Sequence, residues 1–150
     1  GVVAGRRTRR ERPVVLIAVD TSASMSAHEL KLVACEVTAL TARQLRVACV
    51  QCDTEIRREG WLASGETLTR VVGRGGTDLR PPFGPEVLRR YDPSLVVYFT
   101  DGEGPAPESA PAGVDVLWVL TGISPVVPVR WGRVACLKPR GQRQRVRPPS

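Results

Sequence analysis

Histidine is nearly absent: the chain has one, His28, and its aromatic content is only three Trp, two Tyr and two Phe among 150 residues. Zinc sites built on several imidazoles are thereby excluded. His28-Glu29 also lacks the second His that a zinc protease needs, since Leu32 stands in its place. No nucleophile and orienting partner lie near His28 in sequence, so it reads as an ordinary exposed residue. No apolar run approaches the roughly 18 residues of a membrane span, and no signal-peptide h-region opens the chain. These absences predict a cytoplasmic protein. The start at Gly1, without Met and in an arginine-rich lead, reads as a cut from a longer protein.

Cysteine is present but sparse. Cys35, Cys49, Cys52 and Cys136 fall within apolar segments and read as reduced core residues. Cys49 and Cys52 have the C-x-x-C spacing on a predicted strand, where positions three apart face opposite sides of a sheet. With no second closely spaced pair, a shared zinc or a redox role is not expected. Acidic charge is also short, leaving a net charge of +7 that sits in the tails. Gly1 to Arg12 holds five Arg against one Glu, and Lys138 to Ser150 holds five basic residues and no acid. The residues between carry twelve basic and fourteen acidic groups, so the body is close to neutral. The division predicted is a basic flexible lead over 1–12, one folded domain over 13–138 and a basic flexible tail over 139–150, with nucleic-acid binding confined to the arms.

What is there is a run of six apolar residues, Val14 to Val19, followed by the polar turn Asp20-Thr21-Ser22-Ala23-Ser24. A strand apolar throughout belongs in the middle of a parallel sheet, and in such sheets ligands bind beyond the carboxyl ends of the strands. Alternate residues of an extended turn project to one side, so Asp20, Ser22 and Ser24 present a carboxylate and two hydroxyls to a common point. These hard oxygen donors suit Mg²⁺ or Mn²⁺. Gly75-Gly76-Thr77-Asp78 adds a hydroxyl on a flexible loop, and Val96 to Thr100 is a second apolar strand ending in Asp101-Gly102.

Taken in order, Asp20-x-Ser22-x-Ser24, Thr77 and Asp101 resemble the metal-ion-dependent adhesion site of von Willebrand factor A domains. The resemblance implies that Ser22, Ser24 and Thr77 bind Mg²⁺ or Mn²⁺ directly, that Asp20 and Asp101 act largely through bound waters, and that one position is left for an Asp or Glu of a protein partner. Gly76, Asp78 and Gly102 then support the loops, with Asp78 at a helix start or behind the ligands. The closer likeness, over about Val14 to Leu137, is to the C-terminal part of bacterial cytosolic proteins with a metallopeptidase-like N-terminal part. It rests also on Cys52-Asp53, Thr100-Asp101-Gly102 followed by Pro107-Glu108, and Leu117-Trp118-Val119-Leu120-Thr121. Ala23 replaces the more usual Gly, and Arg130-Trp131-Gly132 stands where a Pro-Phe-Gly-like turn is expected. Related proteins are paired with MoxR-type AAA+ ATPases, which makes such an ATPase the implied partner.

The remaining elements follow from pattern. Ser26-Ala27-His28-Glu29 is a capping box, and Leu30, Val33, Ala34, Val37 and Leu40 form a helical stripe out to about Arg43. Leu45 to Cys52 and Glu55 to Leu62 read as an antiparallel pair joined at Asp53-Thr54, the second an edge strand. Thr67 to Val72 reads as a short helical turn, Phe83 to Tyr91 as a helix, and Leu95–Thr100, Val114–Leu120 and Arg133–Leu137 as three further strands. The Pro-rich stretch from Gly104 to Gly113 is not expected to be helical. The fold expected is α/β, doubly wound, with about six mostly parallel strands and helices on both faces. For function, a metal-bridged binding module stands against a metal-dependent hydrolase. A haloacid-dehalogenase phosphatase needs Asp where Ser22 stands, no Gly-x-Ser-x-Gly elbow occurs, and Gly73 to Asp78 lacks the Gly-Lys-Ser/Thr of a P-loop. No catalytic activity of the domain itself is therefore expected.

Overall fold

The computed structural model describes residues 13–43, 46–66, 68 and 70–137. The expected basic arms therefore lie outside the described residues, as do Leu45, Thr67 and Thr69. Six strands form one sheet: β1 (Val14–Asp20), β2 (Arg46–Cys52), β3 (Ile56–Leu62), β4 (Leu95–Thr100), β5 (Asp115–Leu120) and β6 (Arg133–Cys136). Their order is β3-β2-β1-β4-β5-β6. Every pairing is parallel except that of the edge strand β3 with β2. The strand order reverses at β1, whose neighbours are β2 and β4, so its carboxyl end opens into the crevice where α/β sheets hold ligands.

Alternation along β1 distributes the core to two faces. Val15, Ile17 and Val19 meet Leu30, Val33 and Val37 of α1 (Ala27–Thr41). Leu16 and Ala18 share the opposite face with Val87 and Tyr91 of α2 (Pro85–Tyr91) and with the rings of Tyr98 and Trp118. The sheet is thus covered by helices on both sides. The capping box at Ser26 forms as expected, with the Glu29 amide donating to Ser26 Oγ at 3.0 Å and the Ser26 amide donating to Glu29 Oε1 at 2.7 Å. Among the described residues no helix is long and apolar enough to cross a membrane.

Three expectations need correction. Residue 68 and residues 70–72 are not helical. The buried Gln51 side chain donates to the Arg70 carbonyl and accepts from the Val72 amide, both at 2.7 Å, which holds this segment alongside β2. The helix expected over Phe83 to Tyr91 is a 3-10 turn, Pro81–Phe83, followed by α2. Gly84 between them has φ −64 and ψ 154 because it precedes Pro85, whose ring disfavours helical backbone in the residue before it. Cys35 and Cys136 are exposed, not core residues, since they fall off the buried stripe of α1 and on the outer strand β6. Cys49 and Cys52 are buried. Burial pushes each of these two thiols up to about 12, so they stay protonated.

Candidate functional site

The carboxyl end of β1 delivers Asp20 to the crevice with its side chain fully buried. Asp20 Oδ1 accepts the Ser22 amide at 2.9 Å, an Asx turn that bends the chain just as the strand ends. Asp20 Oδ2 accepts the Thr100 hydroxyl at 2.6 Å, tying β1 to the end of β4. Thr100 Oγ1 in turn accepts the Gly102 amide at 2.9 Å. Burial, with a contribution from the neighbouring Asp101 carboxylate, raises the Asp20 pKa above its ordinary 3.8 against the opposing effect of its bonds to Ser22 and Thr100. The Asp20 carboxylate is therefore held between the ends of β1 and β4, with the Asp101 carboxylate close enough to raise its pKa.

Ser22 and Ser24 project together, their hydroxyl oxygens 3.0 Å apart. Ser22 is buried and Ser24 exposed, so the pair runs from the crevice to solvent. Asp101 follows β4 directly and is 8% exposed; its Oδ1 accepts the Glu103 amide at 3.0 Å. Gly102 has φ +87, and a Cβ there would collide with the Val126 carbonyl, so the Asp101 turn lies hard against the loop that follows β5.

The loop carrying Thr77 is tethered to the same turn. The Arg74 amide donates to the Thr21 carbonyl at 2.7 Å, and the Ala23 amide donates to the Gly75 carbonyl at 2.8 Å. Arg74 adopts a left-handed φ of 73 and sends its guanidinium back to the Ser22 and Met25 carbonyls at 3.1 and 2.7 Å. Thr77 packs on Gly104, where a Cβ would sit 2.6 Å from its methyl group. Hydrogen bonds join Asp20, Ser22, Ser24 and Thr100 directly, while the loops that carry Gly76, Thr77 and Asp101 are tied to this group through the backbone of Arg74, Gly75 and Gly102. Asp78 turns away: its carboxylate takes both the Arg80 amide and the Arg80 guanidinium at 2.9 Å, at the start of the 3-10 turn.

Asp53, Arg74, Thr100 and Cys52 were not assigned site roles from sequence. Asp53 is 1% exposed and accepts from the Thr54 and Gly75 amides at 2.6 and 3.1 Å and from Arg57 Nε at 2.7 Å. Cys52 Sγ donates to the Asp78 carbonyl at 3.4 Å. Only the Cys52-Asp53 pair at a strand end hinted at this, because the contacts that tie the pair to the Thr77 loop, Gly75 to Asp53 and Asp78 to Cys52, span more than twenty residues. Burial alone would raise the Asp53 pKa; the bonds from Arg57 and the Glu55, Gly75 and Thr54 amides outweigh it and lower it below 3.8. Such a group stabilises the fold above its unfolded pKa, and that contribution is lost as pH falls through the lower folded value. Asp53→Ala is expected to cost about 1–3 kcal/mol by orphaning the Gly75 and Thr54 amides, with the part owed to the carboxylate charge shrinking as pH falls below 3.8. Urea melts of both proteins over a series of pH values from neutral into acid measure this; a loss that stays constant throughout would contradict the ionised role.

Among the described residues no three His, Cys, Asp or Glu side chains form a metal-ligating group. Any cation here would thus rely on hydroxyls as well as carboxylates. The donor set fits a small hard cation: at metal–oxygen distances of about 2.1 Å, neighbouring corners of an octahedron lie about 3.0 Å apart, the separation of the two serine hydroxyls.

A mostly parallel sheet with one antiparallel edge, helices on both faces and an Asp-x-Ser-x-Ser turn at its switch point defines a von Willebrand A-like α/β domain. The chain belongs to the VWA-like domain family (DUF2201), whose profile matches residues 15–138. No curated protein matches it.

Proposed function

We propose that this domain is a metal-dependent protein-interaction module, in which Mg²⁺ or Mn²⁺ held by Ser22, Ser24 and Thr77, with Asp20 and Asp101 behind, receives an Asp or Glu from a partner protein. The observation that carries this reading is the pair of serine hydroxyls 3.0 Å apart over the buried, desolvated Asp20. The ion supplies a positive centre with an exchangeable position. The chain's own residues do the rest. Thr100 and the Ser22 amide fix the Asp20 carboxylate, Arg74 clamps the turn, and Gly104 brings the Asp101 loop against Thr77. Neutral hydroxyl ligands leave residual positive charge on the ion, which favours a carboxylate over a neutral or cationic group. A MoxR-type AAA+ ATPase is the proposed partner.

The proposed ligand set holds no His, and its serine hydroxyls are engaged with one another and, through Ser22, with the buried Asp20 carboxylate, so no hydrolase activity is expected of the domain. Nucleic-acid affinity, where present, is assigned to the arms, since the body carries a small acidic excess.

Calorimetric titration with Mn²⁺ tests the ligand assignment. One site is expected in the parent and none in Ser22→Ala/Thr77→Val, with the fold retained by circular dichroism. Unchanged binding in the double variant would remove these ligands from the account.

A further inference from the structure

The loop between β5 and β6 carries three of the five large apolar side chains that are exposed among the described residues: Ile123 at 102%, Val126 at 47% and Val127 at 55%. No charged residue occurs from Thr121 to Val129. Exposed aliphatics scattered singly need no explanation, but these stand within five residues on one loop beside the candidate site. The Val126 amide donates to the Asp101 carbonyl at 2.9 Å, and Gly102 fits beneath the Val126 carbonyl. At its other end the loop reaches the start of α1: the Thr121 hydroxyl contacts Met25 Sδ at 3.3 Å, and a Cβ on Gly122 would sit 2.6 Å from Glu29 Oε2. Pro125 and Pro128 flank the two valines. Each ring fixes φ and lowers the freedom lost when a partner covers the loop.

We infer that Ile123, Val126 and Val127 form an apolar rim to the proposed ion site, and that they take aliphatic side chains flanking the partner's ion-binding Asp or Glu. The inference rests on the proposed function and adds sequence preference to it. Continuity argues for this occupant. The Val126 amide is hydrogen-bonded to the Asp101 carbonyl, so the rim borders one side of the turn that an incoming carboxylate approaches. The absence of charge from Thr121 to Val129 leaves apolar contact as this stretch's means of discrimination, and the carboxylate supplies orientation. An acidic residue with polar neighbours would engage the ion alone; one with Leu, Ile or Val beside it would engage both.

The test uses the full chain and an array of peptides, each with one central Asp and randomised flanks, probed in Mg²⁺ and in chelator. Peptides retained only in Mg²⁺ are expected to be enriched in aliphatic residues beside the Asp. Ile123→Ser/Val126→Ser/Val127→Ser is expected to lose that enrichment and at least about tenfold in affinity for the best peptide, while Mn²⁺ binding by electron paramagnetic resonance and the thermal melt stay as in the parent. Mn²⁺ bound by the parent but no flank preference, or equal peptide affinity in the triple variant, would overturn the rim alone. Failure of the parent to bind Mn²⁺ would instead strike the proposed function beneath it. Sedimentation velocity showing a dimer that the triple variant loses would reassign the rim to a second copy of the chain. Retention on anionic lipid vesicles lost in the same variant would reassign it to a membrane surface; either result overturns the inference.

Discussion

Gly102→Ala is expected to be the most damaging single-methyl substitution at the site, destabilising the domain by about 3 kcal/mol and lowering its melting temperature by roughly 10 °C. Two costs add. Gly102 has φ +87, a backbone region that L side chains rarely adopt, and its Cβ would enter the Val126 carbonyl, a backbone group that moves only if the whole β5–β6 loop moves. Gly113 separates the two costs, because it has φ +72 with nothing within 4 Å of a Cβ. Gly113→Ala should therefore cost only the backbone part, about 1 kcal/mol. Gly102→Ala should also weaken Mn²⁺ binding, since the Gly102 amide anchors Thr100, and Thr100 anchors Asp20. Urea unfolding of both variants decides the matter. Equal stability losses would mean that the two loops adjust freely and that the Asp101 turn is not held by this contact.

Asp20→Asn should raise the stability of the ion-free domain at neutral pH while abolishing its response to metal. Asp20 is buried and its pKa is raised, so the folded state disfavours its charged form. For a raised acid the stabilising contribution is present below the unfolded pKa, near 3.8, and is lost as pH rises through the folded value. At pH 7 the charge is therefore a burden that asparagine lacks. The amide oxygen still accepts from the Ser22 amide, and the amide nitrogen can donate to Thr100 Oγ1. Well below pH 3.8 the parent is protonated in both states and the two proteins should melt together. Added Mg²⁺ should reverse the order at neutral pH: at a hundred times the dissociation constant the parent gains about 2.7 kcal/mol and the variant nothing. Scanning calorimetry with and without Mg²⁺ reads this inversion. A variant less stable than the parent in chelator at pH 7 would show that the carboxylate charge stabilises the fold instead.

The elements legible in the sequence were those written in local pattern. Val14 to Val19 announces a central strand by being apolar throughout, and it pairs on both sides. The capping box at Ser26 and the stripe from Leu30 to Val37 place α1 almost to the residue. The Pro-rich stretch after Asp101 forms no helix, as its composition implies. Apart from the break at Gly84, which the adjacent Pro85 causes, and the exposed Cys35 and Cys136, the misses fall where distant residues decide. The segment ending at Val72 has helix-compatible residues, yet a glutamine some twenty positions earlier binds its backbone. Asp53 looks like a turn residue until Gly75 is seen against it, and Thr100 looks like a strand end until its hydroxyl meets Asp20, 80 positions away. At the candidate site the turn that groups Asp20, Ser22 and Ser24 was legible because its spacing is local. The scaffold behind them was not, because Arg74, Asp53 and Thr100 act across the fold.

The central claim, that Ser22, Ser24 and Thr77 jointly hold a divalent cation, is tested most directly by anomalous diffraction from crystals grown with Mn²⁺. The account predicts one strong anomalous peak within bonding distance of all three hydroxyl oxygens, with Asp20 and Asp101 no farther than one bridging water. A peak bound elsewhere, or none at a Mn²⁺ concentration that saturates the calorimetric site, would contradict it.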